Sequence, residues 1–175
     1  MYLNFFVLIF DYFRSLSIRI AIYELIMPLI FTIIYAFIAD LPSLTSEVNP
    51  LQKVPELNSN AITILGIFVG FSIAMFTILV TSSNKNIENI KQWKTEVVIS
   101  NEQISLYKLL LINISYSVLI SSLLLIIDII FMIFTNQANK IINSINIMFI
   151  SHVLLLNIRN ITDFYLIVTK NMDSK

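Results

Sequence analysis

Four times along the chain, polar residues give way to an apolar run close to the roughly 20 residues that cross a hydrocarbon core about 30 Å thick. The first runs from Ile20 to Ala39 and closes at Asp40-Leu41-Pro42. The second runs from Ala61 to Thr81 behind Asn58-Ser59-Asn60, whose side chains suit the unpaired amides of a helix start. The third ends at Phe134 and the fourth opens near Ile141, and the short connector Thr135 to Lys140 makes these two antiparallel neighbours. In lipid the backbone must satisfy itself, so runs of this length read as helices. The expected spans are 20–40, 61–81, 115–134 and 141–160. The pattern predicts an all-α polytopic membrane protein, with residues 1–175 forming a single membrane domain.

Two further segments carry a helical period. In residues 1–17, Asn4, Asp11 and Ser15 share one face while Phe5, Phe6, Leu8, Ile9, Tyr12, Phe13 and Leu16 fill the rest. This predicts an interfacial amphipathic helix, not a secretory signal, since it lacks a basic start and a small-residue cleavage site. Beyond Thr81, Ile87, Ile90, Trp93 and Val97 continue at spacings of three and four, and Ser100 with Gln103 reads as a capping box that starts another helix. The expectation is a cytoplasmic helical hairpin over 82–114 that extends the second and third spans as an antiparallel stalk.

Composition agrees with the spans: 57% of the 175 residues are hydrophobic and 13% charged, with a mean hydropathy of +0.84. Eleven basic residues balance eleven acidic ones, so no overall field favours nucleic acid. The positive charges are unevenly placed. With the N-terminus inside, Arg14, Arg19, Lys85, Lys91, Lys94, Lys108, Arg159, Lys170 and Lys175 collect on the inner side, and only Lys53 and Lys140 fall outside. That bias predicts cytoplasmic termini in a bacterial inner membrane. With no Cys, one His and two Gly, the chain can write neither a thiolate site nor a phosphate-binding loop, so neither an enzyme, a cofactor nor a metal is expected.

The candidate chemistry lies inside the spans. Thr63, Gly66, Gly70 and Ala74, with Thr77 and Thr81 beyond, keep one face of the second span small, which permits close helix approach either within the chain or between copies in a homo-oligomer. Glu24 in the first span, Asn113 and Asp128 in the third, and His152, Arg159 and Asp163 in the fourth are intramembrane polar groups, costly in lipid and therefore candidates for function. Counted from the outer helix ends, Asp128 lies about 10 Å deep and His152 about 16 Å, close enough to meet across neighbouring helices. Arg159 is expected either to snorkel to the interface or to pair with Glu24 or Asp163. On the stalk, Lys85, Lys91, Trp93 and Lys94 read as a solvated face or as a docking surface for a cytosolic effector protein.

The stretches Leu65-Gly66-Ile67-Phe68-Val69-Gly70-Phe71-Ser72, Ser83-Asn84-Lys85-Asn86-Ile87-Glu88 and His152 to Ile161 add a resemblance. With four spans and many Ile and Asn residues, the chain resembles small membrane proteins of bacterial anti-phage defence loci, in particular the membrane accessory protein encoded beside the RNA-targeting nuclease of type VI-B CRISPR systems. A second accessory protein of those systems carries Arg followed four to six residues later by His. Here His152 precedes Arg159, so that version does not fit. The resemblance implies an oligomeric accessory of antiviral defence, acting on the bilayer by pore formation or membrane perturbation. The alternatives are an adaptor that recruits an effector and a small immunity or ion-transport protein.

Overall fold

The computed structural model describes residues 3–40, 54–134 and 140–169. These form helix α1 (Leu3–Ser15), the long helices α2 (Ile18–Asp40) and α3 (Val54–Thr81), a short helix α4 (Lys85–Gln92), strands β1 (Lys94–Ile99) and β2 (Glu102–Ser105), and the long helices α5 (Leu106–Phe134) and α6 (Lys140–Thr169). Stretches of α2, α3, α5 and α6 (Ile18–Phe37, Ser59–Thr81, Leu106–Ile133 and Asn143–Ile167) are long and apolar enough to cross a membrane. The protein is therefore an all-α, multi-pass membrane protein. Lys53, Pro42, Pro50, Lys170, Lys175 and most of the connector 135–140 lie outside the described residues.

The bundle is inside out by the standard of a soluble protein. Ile33, Phe37, Ile67, Ile130 and Ile158 are exposed, while Glu24, Ser72, Ser117, Asp128, Asn157 and Asn160 are buried. Lipid removes the usual drive to hide apolar side chains, so polar contacts and close packing hold the helices instead. The seams follow a three–four repeat. On α3 it runs through Ala61, Leu65, Phe68, Ser72, Met75 and Leu79; on α5 through Leu110, Ile114, Ser117, Ser121, Leu124 and Asp128; on α6 through Asn143, Asn146, Ile150, Val153, Asn157 and Asn160. A repeat of this period keeps one narrow stripe against a neighbour over the full helix length. Helix α6 packs against α2, α3 and α5, whereas α2 packs mainly on α6.

The expected helical stalk over 82–114 is not what forms. Helix α3 ends at Thr81, Asn84 caps α4 by accepting from the Asn86 amide at 2.6 Å, and α4 folds back so that Ile87 and Ile90 bury against Met75, Leu79, Leu110, Ile114 and Ile167. Residues 94–105 then make an antiparallel β-hairpin, with Ile99 opposite Glu102 and Val98 opposite Gln103. Ser100 with Gln103 is not a capping box, for Gln103 lies in β2 and the turn is made by Ser100 and Asn101. Both sit at positive φ, 54° and 66°, the two-residue turn whose twist matches a hairpin and which Asn tolerates well. Thr95, Val97 and Ile99 turn inward in alternation and sit among β-branched residues, a period of two that overrides the helical reading of Val97. Ile99 and Ile104 pack with Tyr12 of α1, Ile112, Tyr116 and Leu156. Ser105 then caps α5, its hydroxyl accepting from the Lys108 amide at 3.3 Å. Helix α5 thus begins directly after the hairpin, at Leu106.

A buried polar file along the bundle

At the hairpin end of the bundle, Glu24 of α2 is 1% exposed and forms an ion pair with Arg159 of α6 at 2.6 Å. Tyr12 of α1 donates its hydroxyl to the other carboxylate oxygen. The Tyr12 ring stacks on Tyr116 with centroids 3.6 Å apart, and the Arg159 guanidinium lies 5.7 Å from the Tyr12 centroid. Burial, aided by the adjacent Glu24 carboxylate and opposed by Arg159, raises the Tyr12 pKa, so the phenol stays protonated and remains a donor. Arg159 accordingly pairs with Glu24 and does not snorkel free. Asp163, one turn further along α6, also lies within the field of Arg159.

His152 owes its place to Pro28. A proline in mid-helix has no N–H, so the carbonyl four residues earlier loses its donor. That carbonyl belongs to Glu24, and His152 Nδ1 fills the gap at 3.0 Å. The contact assigns the proton to Nδ1 and leaves Nε2 to accept from the Tyr116 hydroxyl at 3.4 Å. His152 therefore does not pair with Asp128. The contacts Ser117–Asn157 through Ser72 and Asn113–Asn160 fix the α5–α6 register, which sets Asp128 opposite Asn146, six residues from His152. That offset is about 9 Å along the axis, more than the depth count allowed.

The same register lines up a file of polar groups. Asn143 and Asn146 of α6 stand near Asp128 of α5; Ser121 follows; Ser72 of α3 donates to Asn157 at 2.8 Å and lies 3.3 Å from Ser117. Asn160 donates to the Asn113 carbonyl at 3.5 Å, and the file ends at Glu24, Arg159 and Asp163. From Asn143 to Asp163 is twenty residues of one helix, or about 30 Å, the thickness of a hydrocarbon core. Both carboxylate oxygens of Asp128, the Ser121 hydroxyl, Asn113 Oδ1, Asn160 Oδ1, and Arg159 Nε and Nη2 are buried without a hydrogen-bond partner among the described residues. Orphaned polar atoms cost free energy in any apolar medium, and here they recur along the whole file.

The remaining expected site residues lie elsewhere. Thr63, Gly66, Gly70 and Ala74 face outward, and a side-chain carbon added at either glycine meets no atom within 4 Å. Among the described residues, nothing packs against either glycine of this face. Lys85 is exposed, Lys91 sits 5.2 Å from the Tyr107 ring centroid, and Lys94 donates to the Gln103 carbonyl at 3.3 Å. Trp93, 56% exposed, follows the C-terminus of α4 at the rim of a cavity. Sequence reasoning did not single out Tyr12, Ser72, Tyr116, Asn143, Asn146, Asn157 or Asn160 as site residues. The three–four spacing of the four asparagines on one apolar helix is the signal that marks them. No protein-family model, curated protein or solved structure matches the chain.

Proposed function

We propose that this protein is an ion-translocating membrane protein, and that protons or small cations cross the bilayer along the polar file within each chain. The observation that carries the reading is the coincidence of the file's length with the bilayer, together with the fully buried carboxylate of Asp128 beside Asn146 at its far third. A carboxylate in that position accepts and releases a proton or cation between neighbouring amide and hydroxyl groups, the chemistry of intramembrane relays. Service as a membrane-perturbing accessory of antiviral defence, with both termini cytoplasmic in a bacterial inner membrane, is the part of the proposal that rests on the resemblance and on the placement of Lys and Arg. The test is collapse of a pH gradient across proteoliposomes loaded with a pH-sensitive dye. Wild-type protein speeds the collapse and Asp128→Asn slows it. Equal rates for the two proteins refute the relay.

A second reading is favoured by the outward small face. Close approach of two copies along Thr63, Gly66, Gly70 and Ala74 suits a homo-oligomer, with permeation around the assembly axis. In that case Gly70→Leu lowers both oligomer size and flux, whereas conduction within each chain survives the substitution.

A further inference from the structure

At the hairpin end, a half-open cavity of about 380 Å³ lies between the α1–α2 junction, the start of α5 and the end of α6. Its volume falls in the range of small-molecule sites. Most of the wall is aliphatic, with Leu16, Ile20, Leu106, Leu109 and Leu166 among the lining residues. Five polar or aromatic groups interrupt it: Asn113, Arg159, Asp163, Trp93 and Ser15, whose hydroxyl is already given to the Tyr12 carbonyl. Their charges do not cancel. Arg159 pairs with Glu24 at 2.6 Å and also lies in the field of Asp163, so the one guanidinium faces two carboxylates and the group keeps a net negative charge. Asn113 is 6% exposed and its Oδ1 has no hydrogen-bond partner. The site thus offers a carboxylate, an unbonded amide oxygen and an aromatic face, beside a guanidinium that is paired through Nη1 with Glu24 and keeps Nε and Nη2 unbonded among the described residues. The net negative charge of Glu24, Arg159 and Asp163 disfavours a bare anion, a neutral alcohol leaves that charge unbalanced, and a cation with N–H donors meets the carboxylate, the amide oxygen and the aromatic face.

We propose that this cavity binds a protonated primary amine carrying an apolar chain. The ammonium bonds to Asp163 and Asn113, Trp93 covers its free side, and the chain lies against the leucines. The amine comes either from a free alkylamine or from the ethanolamine headgroup of a phospholipid, and the two sources share this chemistry. Binding does not require the polar file to conduct.

Trp93 is the only tryptophan of the chain, so its emission reports on the cavity rim alone. Octylamine, protonated at pH 7 as lysine is, is titrated into the full-length protein in phosphatidylcholine nanodiscs, with octanol as the neutral control. Saturable change with octylamine, and a midpoint at least about tenfold weaker for octanol and for Asp163→Asn, is the expected result, as removal of a charge-assisted hydrogen bond requires. Repeating the titration with phosphatidylethanolamine in the nanodisc distinguishes the sources. A raised octylamine midpoint identifies the headgroup as the occupant, and an unchanged one identifies the free amine. Equal midpoints for octylamine and octanol on the wild-type protein overturn the proposal, and so does wild-type affinity in Asp163→Asn. If Asp163→Asn fails to fold, as judged by circular dichroism, Asn113→Leu and the octanol comparison still decide.

Discussion

Replacing Arg159 by Met leaves the Glu24 carboxylate, 1% exposed, with the Tyr12 hydroxyl as its remaining side-chain partner. Breaking one side of a buried ion pair costs about 3–5 kcal/mol, most of it the penalty of an uncompensated charge. The lower end applies here, because helices separated in detergent also find polar partners. Arg159→Met should therefore cost about 3 kcal/mol, and Glu24→Gln about 2 kcal/mol since Arg159 keeps partial solvent access at 15% exposure. The double variant removes both charges and should cost little more than either alone, giving a coupling of roughly 2 kcal/mol. The assay is unfolding by increasing mole fraction of dodecyl sulfate, read by Trp93 emission and helical dichroism together. Two single variants within about 0.5 kcal/mol of wild type, with additive effects in the double, would mean the pair is a solvated contact of the kind that stabilises little. The description of this end of the bundle would then fail.

His152→Ala leaves the Glu24 carbonyl unpaired and should cost about 1–3 kcal/mol, but less in a Pro28→Ala background, where the restored amide takes the carbonyl; equal costs in the two backgrounds, by the same unfolding assay, contradict the contact. Asn101→Val forces a β-branched side chain into φ 66° and should loosen the hairpin, raising amide exchange in 94–105, whereas Asn101→Gly should not. Because burial raises the Tyr12 pKa, the folded state holds a proton that the unfolded state releases, so stability is full below about pH 10 and falls as pH rises beyond it; absorbance at 295 nm should show a late-titrating tyrosine component that Tyr12→Phe diminishes, and the same substitution should lessen the alkaline loss.

The spans were legible because length and hydropathy suffice to identify a membrane helix, and the cost of unpaired backbone in lipid leaves few alternatives. Glu24, Asn113, Arg159 and Asp163 were legible for a related reason, since a polar residue in such a run is conspicuous. Their partners were harder to see. The Glu24–Arg159 pair is one of several that helix ends allow, and choosing it requires the α2–α6 register that His152 and Pro28 set. Asp128 and His152 were brought together by counting depth from uncertain helix ends, and a six-residue offset decided against them. The β-hairpin was missed because Ile87, Ile90 and Trp93 do belong to a helix and its margin, and Val97 falls on the same period by chance. The chain's own contrary signals were Thr95, Val97 and Ile99 in alternation and the Ser100-Asn101 turn. Gly66 and Gly70 announce a close contact that the described residues of a single chain do not make.

Water access along the polar file is the claim on which the functional reading rests, and the chain's lack of cysteine allows it to be measured directly. Single Ser121→Cys and Ser117→Cys variants, with Ile126→Cys and Ile130→Cys on the exposed outer face of α5 as controls, are reconstituted and treated with a charged methanethiosulfonate, which reacts with the hydrated thiolate. The account predicts that the two interior positions label and the two outer ones, facing lipid, do not. Labelling of Ile126→Cys and Ile130→Cys with silence at Ser117→Cys and Ser121→Cys would contradict it.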